Sequence, residues 1–231
     1  MTLKLGIPSK GRLMSQTFDW LMKRGIRINR IGSERTYSTL TEDIDGLTLV
    51  LLSAGEIPRE LSAGRLHLGV TGTDLIHEKL PLRERQVKCL MPLNFGKANL
   101  VIAVPKFWID VDSLDDLDAA AADFRARYGI RLRIATQYHR LVRDFLSSAG
   151  VADYSLVDSQ GATEGAIKNE IAEAIADITS TGETLRANHL KVLSDGLILK
   201  SEATLWQSQT ALLSKEDKQL LLDFMFRTGI E

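Results

Sequence analysis

Residues 174–190, reading AIADITSTGETLRANHL, constrain the fold more than any other stretch of the chain. An apolar run ending in one acid predicts a buried strand that closes at Asp177. A segment of Thr, Ser and Gly follows, and then a helix-forming run that begins near Leu185. Strand, tight loop and helix in that order form the repeating unit of an α/β sheet. The loop Thr179-Ser180-Thr181-Gly182-Glu183-Thr184 offers N–H groups and hydroxyls, and Gly182 permits close approach or a positive φ. With the positive end of a helix behind it, the segment reads as a receptor for a phosphomonoester. Asp177 is placed to accept hydrogen bonds from a sugar's hydroxyls, which suits a phosphorylated ribose. An ordinary capped strand-to-helix turn is the plainer reading, but four hydroxyl residues around one glycine exceed what capping uses. Glu183 is expected to face solvent and to lend only its amide.

The rest of the pattern agrees with the α/β class. Leu3–Pro8 predicts a strand, and Leu13, Phe18, Trp20 and Leu21 trace one helix face up to Gly25. Asp45-Gly46 marks a turn before a strand at Leu47–Leu52, and Ile57-Pro58 opens a short helix that ends by Gly64. Leu66–Val70 predicts a strand closed by Thr71-Gly72-Thr73-Asp74, with Asp74 as the cap of the next helix. Later come a buried strand at Leu100–Val104, a helix over Asp112–Tyr128, a strand at Arg131–Ala135 and an amphipathic helix over Tyr138–Ala149. Strands at Tyr154–Val157, Leu197–Lys200 and Ala203–Trp206 precede a last helix over Lys215–Phe226. The alternation predicts largely parallel sheets. No linker of low complexity is present, so two lobes would be joined by ordered crossing strands, best placed at Phe95–Pro105 and Ile198–Trp206. A chain that leaves one lobe and returns encloses a cleft, where ligands commonly bind.

Composition narrows the function without naming it. The 231 residues carry a formal net charge of -1, so nothing argues for a nucleic-acid or membrane surface, and an anion site has to be local. Cys89 is the single cysteine and is expected to be a small buried residue. The opening MTLKLGIPSKGRL lacks the apolar core of a signal peptide, which makes the cytoplasm the expected compartment. His67, His77, His139 and His189 show no metal-ligand spacing. Asp112, Asp115, Asp116 and Asp118 form the acidic start that a helix dipole favours. Trp206, Phe224, Met225 and Phe226 are expected in packing.

Several segments, in order and spread over nearly the whole chain, resemble one family. They are LGIPSKGRL (Leu5–Leu13), EIPRELSAGRLHLGVTGTDLIHE (Glu56–Glu78), LNFGKANLVIAVP (Leu93–Pro105), RIATQYHRLVRDFL (Arg133–Leu146), GATEGA (Gly161–Ala166) and the phosphate segment itself. Together they resemble ATP phosphoribosyltransferase in its short form. The resemblance implies a two-lobed α/β fold of the periplasmic-binding-protein type (type II). Each lobe would be a mostly parallel sheet flanked by helices, with lobe I at 1–93 plus 206–231 and lobe II at 94–205. It also implies transfer of the 5-phosphoribosyl group of phosphoribosyl pyrophosphate (PRPP) to N1 of ATP, with Mg²⁺ riding on the pyrophosphate oxygens. Short members lack the C-terminal regulatory domain of longer ones. They resemble one half of a hetero-oligomer, itself dimeric in its catalytic part, that works with a subunit similar to histidyl-tRNA synthetase. A non-catalytic solute-binding module of the same fold is the competing class.

Residue roles follow from the match. Lys10, Gly11 and Arg12 stand where the first strand turns into the first helix. Two cations at a helix N-terminus oppose the dipole, and a bound pyrophosphate would resolve that conflict. Lys10, Arg12 and Arg35 resemble the residues that hold the leaving pyrophosphate. Asp177 would serve the ribose hydroxyls, with Glu164 as a second acid or simply a solvated helix start. Thr71, Gly72 and Asp74 are candidates for nucleotide contact or for a capped turn. The chain departs from the family at Ser53 (usually Arg), Glu56 (Asp) and Thr73 (often Lys). It also lacks the glycines usual near Glu170 and at His189.

Overall fold

The chain opens on β1 (Leu3–Pro8), in which Leu3, Leu5 and Ile7 are fully buried on one face. A computed structural model describes residues 2–29, 38–41, 43–159 and 163–230; Arg35 lies outside them. After β1 come α1 (Gly11–Met22), β2 (Ile28–Asn29), β3 (Ser38–Thr41), β4 (Leu47–Leu52), α2 (Ile57–Ser62) and β5 (Leu68–Gly72). Then follow α3 (Thr73–Lys79), α4 (Arg83–Gln86) and β6 (Val87–Pro92). The next stretch holds β7 (Ala98–Pro105), α5 (Leu114–Tyr128), β8 (Leu132–Thr136), α6 (His139–Ser148), β9 (Tyr154–Asp158) and α7 (Gly165–Lys168). It ends with β10 (Ala174–Thr179), α8 (Glu183–Ala187) and β11 (Leu190–Ser201), and the chain closes with β12 (Ala203–Ser208) and α9 (Lys215–Thr228).

Two compact units result, residues 1–97 with 202–231, and residues 98–201. The sequence places these divisions at 93/94 and 205/206. The chain changes unit inside the stretches named as crossing strands, at the boundaries of β7 and β12. The first unit is built on a sheet ordered β2-β3-β4-β1-β5-β12-β6. Leu3, Leu5, Ile7, Leu49, Val70 and Leu205 pack with Trp20, Leu21 and Phe224 of α1 and α9. Ile57, Leu61, Leu66, Ile76 and Trp206 form a second core. Two glycines make that second core possible. A Cβ on Gly69 would meet Ile57 Cγ2 at 2.7 Å, and one on Gly6 would meet Leu66 Cδ1 at 2.4 Å.

The second unit is a sheet ordered β11-β7-β10-β8-β9. Val101, Ala103, Ala135 and Ile175 pack with Ala166 of α7 and Leu185 of α8. At alternate positions Leu100, Ile102, Val104 and Ile134 are buried too, as are Leu117 of α5 and Val142 and Leu146 of α6. Strands buried on both faces suit runs such as LVIAV better than a polar–apolar alternation would.

Both sheets are mixed rather than mostly parallel. The parallel pairings are β4-β1-β5 and β10-β8-β9. β12 runs antiparallel between β5 and β6, and β7 runs antiparallel between β10 and β11. Helix–strand alternation misses these strands because β6 leads into β7, and β11 into β12, without an intervening helix. Other expectations are corrected locally. Cys89 is exposed, because β6 is an edge strand with one face toward solvent. Phe226 is 85% exposed, although Phe224 is fully buried and Met225 packs against the same core. The cap of α3 is Gly72, and Asp74 is a buried residue of its first turn. The acidic run near 112 is accounted for by the Ser113–Asp116 capping box, the Asp112–Lys191 pair and the bond from the Ala152 amide to Asp118.

The glycines missing near 170 and at 189 leave a mark on the backbone. Glu170 has φ 55° and His189 has φ 56°, in the left-handed region. Both follow a short helix and close it: the Glu170 amide bonds the Ile167 carbonyl, and the His189 amide bonds that of Arg186. An L-residue in this conformation costs about 1–2 kcal/mol, part of which glycine returns through a more flexible unfolded chain. Glu170→Gly and His189→Gly are each expected to raise the unfolding midpoint by about 1–3 °C. Glu170→Ala and His189→Ala, which keep the strain, should give no such gain in the same thermal scans.

Candidate active site

β10 carries the principal candidate. It pairs antiparallel with β7 from Ile175↔Ala103 to Thr179↔Asn99, and parallel with β8 from Ala174↔Ile134 to Ala176↔Thr136. The strand therefore runs two residues past Asp177, because β7 continues to pair where β8 has stopped. Asp177 sits at that free end, half-buried, with its own Oδ1 accepting from the Ile178 amide at 2.8 Å. The Thr163 hydroxyl also bonds the Asp177 carboxylate. That hydroxyl is held in turn 2.9 Å from Ser159 Oγ, and the Ser159 amide bonds the Thr136 carbonyl. Burial pushes the Asp177 carboxyl above its ordinary range, opposed by the bonds from Ile178 and Thr163 and reinforced by the nearby charge of Glu164. The structure thus brings Asp177 and Glu164 together, and adds Thr163 and Ser159, which the sequence does not single out.

The loop after β10 is held by its own side chains. Thr179 Oγ1 accepts from the Gly182 amide at 2.9 Å, and Thr181 Oγ1 accepts from the Glu183 amide at 3.3 Å. Gly182 has φ 73° and caps α8, so the positive φ anticipated at this glycine is what the turn uses. Ser180, Thr181, Glu183 and Thr184 are exposed. The amides of Ser180 and Thr181 have no acceptor among the described residues. Arg186, which the sequence does not single out either, folds back on this loop. Its Nη2 donates to the Thr181 carbonyl at 3.1 Å, and Nη1 would lie 3.0 Å from a Cβ on Gly182. The signal was its spacing, four residues after the glycine, on the same helix face. α8 has five residues, too short for its dipole to make an anion site, so the groups this loop offers an anion are amides, hydroxyls and Arg186.

The first unit carries the cations. α5 and α9 begin with serine–aspartate capping boxes and acidic first turns. α1 has neither a side-chain cap nor an acid in its first turn. Lys10 is its extended N-cap residue, Gly11 has φ 73°, and Lys10, Gly11 and Arg12 are all exposed. Neither Lys10 nor Arg12 forms an ion pair among the described residues. By contrast, Thr71 is fully buried and donates to the Ala54 carbonyl at 2.8 Å. Gly72 ends β5 opposite Ala203, and Thr73 Oγ1 lies 3.3 Å from both the Glu202 carbonyl and Thr204 Oγ1. These contacts give Thr71 and Thr73 places within the fold of this unit. The departures at Ser53 and Glu56 fit one another, since Glu56 Oε2 accepts from the Ser53 amide at 2.9 Å. The Ser53 hydroxyl and amide bonds hold the Glu56 carboxyl below the usual range.

Comparison with known proteins gives a consistent result. A family profile described as ATP phosphoribosyltransferase matches residues 53–227. The chain is similar to an ATP phosphoribosyltransferase of Cereibacter sphaeroides, at 67% identity over 91% of this chain and 89% of the relative. It is 48% identical to one of Mesorhizobium japonicum over 94% of each chain. Among solved structures it resembles the ATP phosphoribosyl transferase (HisG:HisZ) complex from Thermotoga maritima, with TM-score 0.73 at 24% identity over 99% of this chain and 97% of that one. It also resembles the substrate-binding protein of an amino acid ABC transporter, with TM-score 0.55 at 13% identity over 99% and 92% of the two chains. The fold is accordingly the two-unit α/β architecture that solute-binding proteins share.

The raised carboxyl of Asp177 carries a prediction with a definite sign. A carboxyl whose folded pKa lies above its unfolded value adds stability below the unfolded value and loses it as pH rises through the folded one. Ionised Asp177 therefore lowers stability at neutral pH. Asp177→Asn should unfold at a higher temperature than the parent at pH 7, and the difference should shrink as pH falls into the ordinary aspartate range, read from unfolding midpoints across pH.

Proposed function

The chain belongs to the ATP phosphoribosyltransferase family, and on that premise we propose how its residues divide the work of the reaction. The 5-phosphoribosyl group of PRPP passes to N1 of ATP, and pyrophosphate is released, in the first step of histidine biosynthesis. The N1 lone pair forms the new bond to C1 of the ribose while the bond from C1 to the pyrophosphate oxygen breaks. Positive charge gathers on the sugar ring as it does in glycoside hydrolysis. A ring nitrogen already presents its lone pair, so the step calls for placing two anionic substrates and stabilising the leaving group.

In this reading Thr179–Thr184 hold the 5-phosphate. The amides of Ser180 and Thr181 and the hydroxyls of Ser180 and Thr184 donate to it, and Arg186 supplies charge. The observation that carries the assignment is the loop's internal bonding, in which Thr179 and Thr181 satisfy two amides and leave those of Ser180, Thr181 and Thr184 without an acceptor among the described residues. Asp177 accepts from the ribose 2- and 3-hydroxyls, and its charge favours the cationic ring at C1. Glu164, beside it, holds the same region negative. Lys10 and Arg12, at the uncapped start of α1, neutralise the departing pyrophosphate, and Arg35 belongs to the same proposal from the resemblance. Gly11 keeps the backbone open beside these cations. Thr71, Gly72 and Asp74 then serve the nucleotide indirectly, by fixing the β5–α3 turn. Mg²⁺ arrives with PRPP, on its pyrophosphate oxygens.

The Thermotoga maritima enzyme is a complex of two kinds of subunit, HisG and HisZ. We extend that to this chain as a hetero-oligomer with a regulatory subunit similar to histidyl-tRNA synthetase, in the cytoplasm. No helix among the described residues is long and apolar enough to cross a membrane. A non-catalytic solute-binding module would share the fold, but it leaves the hydroxyl-rich loop beside Asp177 without a purpose.

Incubation with ATP, PRPP and Mg²⁺, with and without the regulatory subunit, should release pyrophosphate in at least one mixture; silence in both rejects the enzyme reading. Arg12→Ala should lower kcat by about 10²–10³-fold, the scale of one lost transition-state donor, while PRPP still binds through the loop. Parent-like turnover in that variant would remove the leaving-group role. The acid limb of kcat/KM for PRPP should lie above the usual carboxylate range, because the required form of Asp177 is the ionised one. Asp177→Asn should abolish that limb and lower kcat/KM by about 10²-fold, as seen in pH–rate profiles.

A further inference from the structure

The second unit holds another concavity, at the opposite end of its sheet from the phosphate loop. It measures about 380 Å³ and is lined by Arg131, Arg143, Ser147, Gly150, Val151, Ala152 and Tyr154. Arg131 directly precedes β8, Tyr154 is the first residue of β9, and these strands pair in parallel from Leu132↔Tyr154. The loop Thr179–Thr184 follows the far end of β10, which lies parallel to β8. The rise of a six-residue strand separates the two places by about 20 Å.

Four other arginines of this unit have acidic partners: Arg125 pairs with Asp153, Arg127 with Asp123, Arg133 with Glu173 and Arg140 with Asp144. Arg186 is turned onto the Thr181 carbonyl. Arg131 and Arg143 form no ion pair among the described residues, and no carboxylate lines the concavity. The acids nearest in sequence, Asp144 and Asp153, are bonded to Arg140 and Arg125. The end of α6 does not account for the two cations either. Its carbonyls at Phe145, Leu146 and Ser147 already accept from the amides of Ala149, Val151 and Gly150. Arg143 and Ser147 are four residues apart on α6 and so share a face. Burial and the charge of nearby Asp144 raise the Tyr154 phenol, against the pull of Arg143, so its hydroxyl stays a neutral donor.

Two guanidinium forks and two hydroxyls around one hollow, with no acid among them, are a donor set for an oxyanion with several acceptor oxygens. We propose that this hollow is a second anion site, which takes a small phosphorylated molecule away from the reaction centre. Free phosphate and the phosphoryl group of a metabolite share this chemistry.

The test is amide NMR of the full chain titrated with inorganic phosphate, for the parent and for the double variant Arg131→Gln/Arg143→Gln. Both positions are exposed and outside the proposed catalytic machinery. In the parent, the amides of Gly150, Val151, Ala152 and Tyr154 should shift along a saturating curve. In the double variant the same amides should bind phosphate at least about tenfold more weakly, the loss of one charge-assisted bond or more. Shifts at Ser180 and Thr181 report the phosphate loop separately and should be equal in both proteins. Unmoved amides at 150–154 in the parent, or equal shifts there in both proteins, would overturn the proposal. A companion titration with a sugar phosphate separates the sources, since tighter binding than phosphate at 150–154 assigns the site to a metabolite and equal binding to free phosphate.

Discussion

The pairing of β10 between β7 and β8 is the constraint on which the second unit's chemistry depends. β8 releases the strand after Ala176, while β7 holds it through Thr179. That offset of partners leaves Asp177 at an open end without freeing the backbone on which it stands. Ile175 and Ala176, fully buried, anchor the strand from below, and Leu185 anchors the chain where it resumes. A loop between two buried anchors needs few bonds of its own to keep one shape, and the Thr179 and Thr181 hydroxyls supply them. Preorganisation here comes from sheet pairing first and side chains second.

The same geometry accounts for the electrostatics. A carboxylate at the end of a sheet loses water, and Asp177 is left with two protein hydrogen bonds and an acidic neighbour. The conflict lowers stability and leaves an acceptor ready for hydroxyl groups and for a developing cation. In the first unit the conflict has the opposite charge: α1 starts with cations and no side-chain cap, where α9 of the same unit begins with a serine–aspartate capping box. In the roles proposed above, each conflict is answered by part of a phosphorylated sugar: hydroxyl groups at Asp177 and a pyrophosphate at Lys10 and Arg12. Sites where local rules are broken without compensation inside the fold are where function is expected.

Much of this was legible in the residues. The apolar run, the hydroxyls and Gly182 locate the strand, the turn and the short helix of residues 174–187, because each has a local physical meaning that needs no distant partner. Helix starts were less legible: α5 begins after the Ser113 cap rather than at Asp112, and Asp74 lies one residue inside α3 rather than at its cap. What the sequence hid was non-local. The extra two residues of β10, Ile178 and Thr179, depend on Leu100 and Asn99 of β7, far earlier in the chain. The mixed sheets depend on where β12 and β6 meet. Thr163 reaches Asp177 only because the segment after β9 is tied to Thr136. Arg186 has the look of one more surface cation until its side chain is placed over Gly182. The substitutions at Glu170 and His189 were visible as departures, yet their cost lies in φ, which a sequence does not print.

The central claim is that the main-chain amides after β10 hold the phosphate of the pentose donor, and a crystal structure of the chain with PRPP tests it most directly. The account predicts 5-phosphate oxygens at about 3 Å from the amide nitrogens of Ser180 and Thr181, with the ribose hydroxyls on Asp177. A bound PRPP whose 5-phosphate lies elsewhere, with those amides facing water, would contradict it.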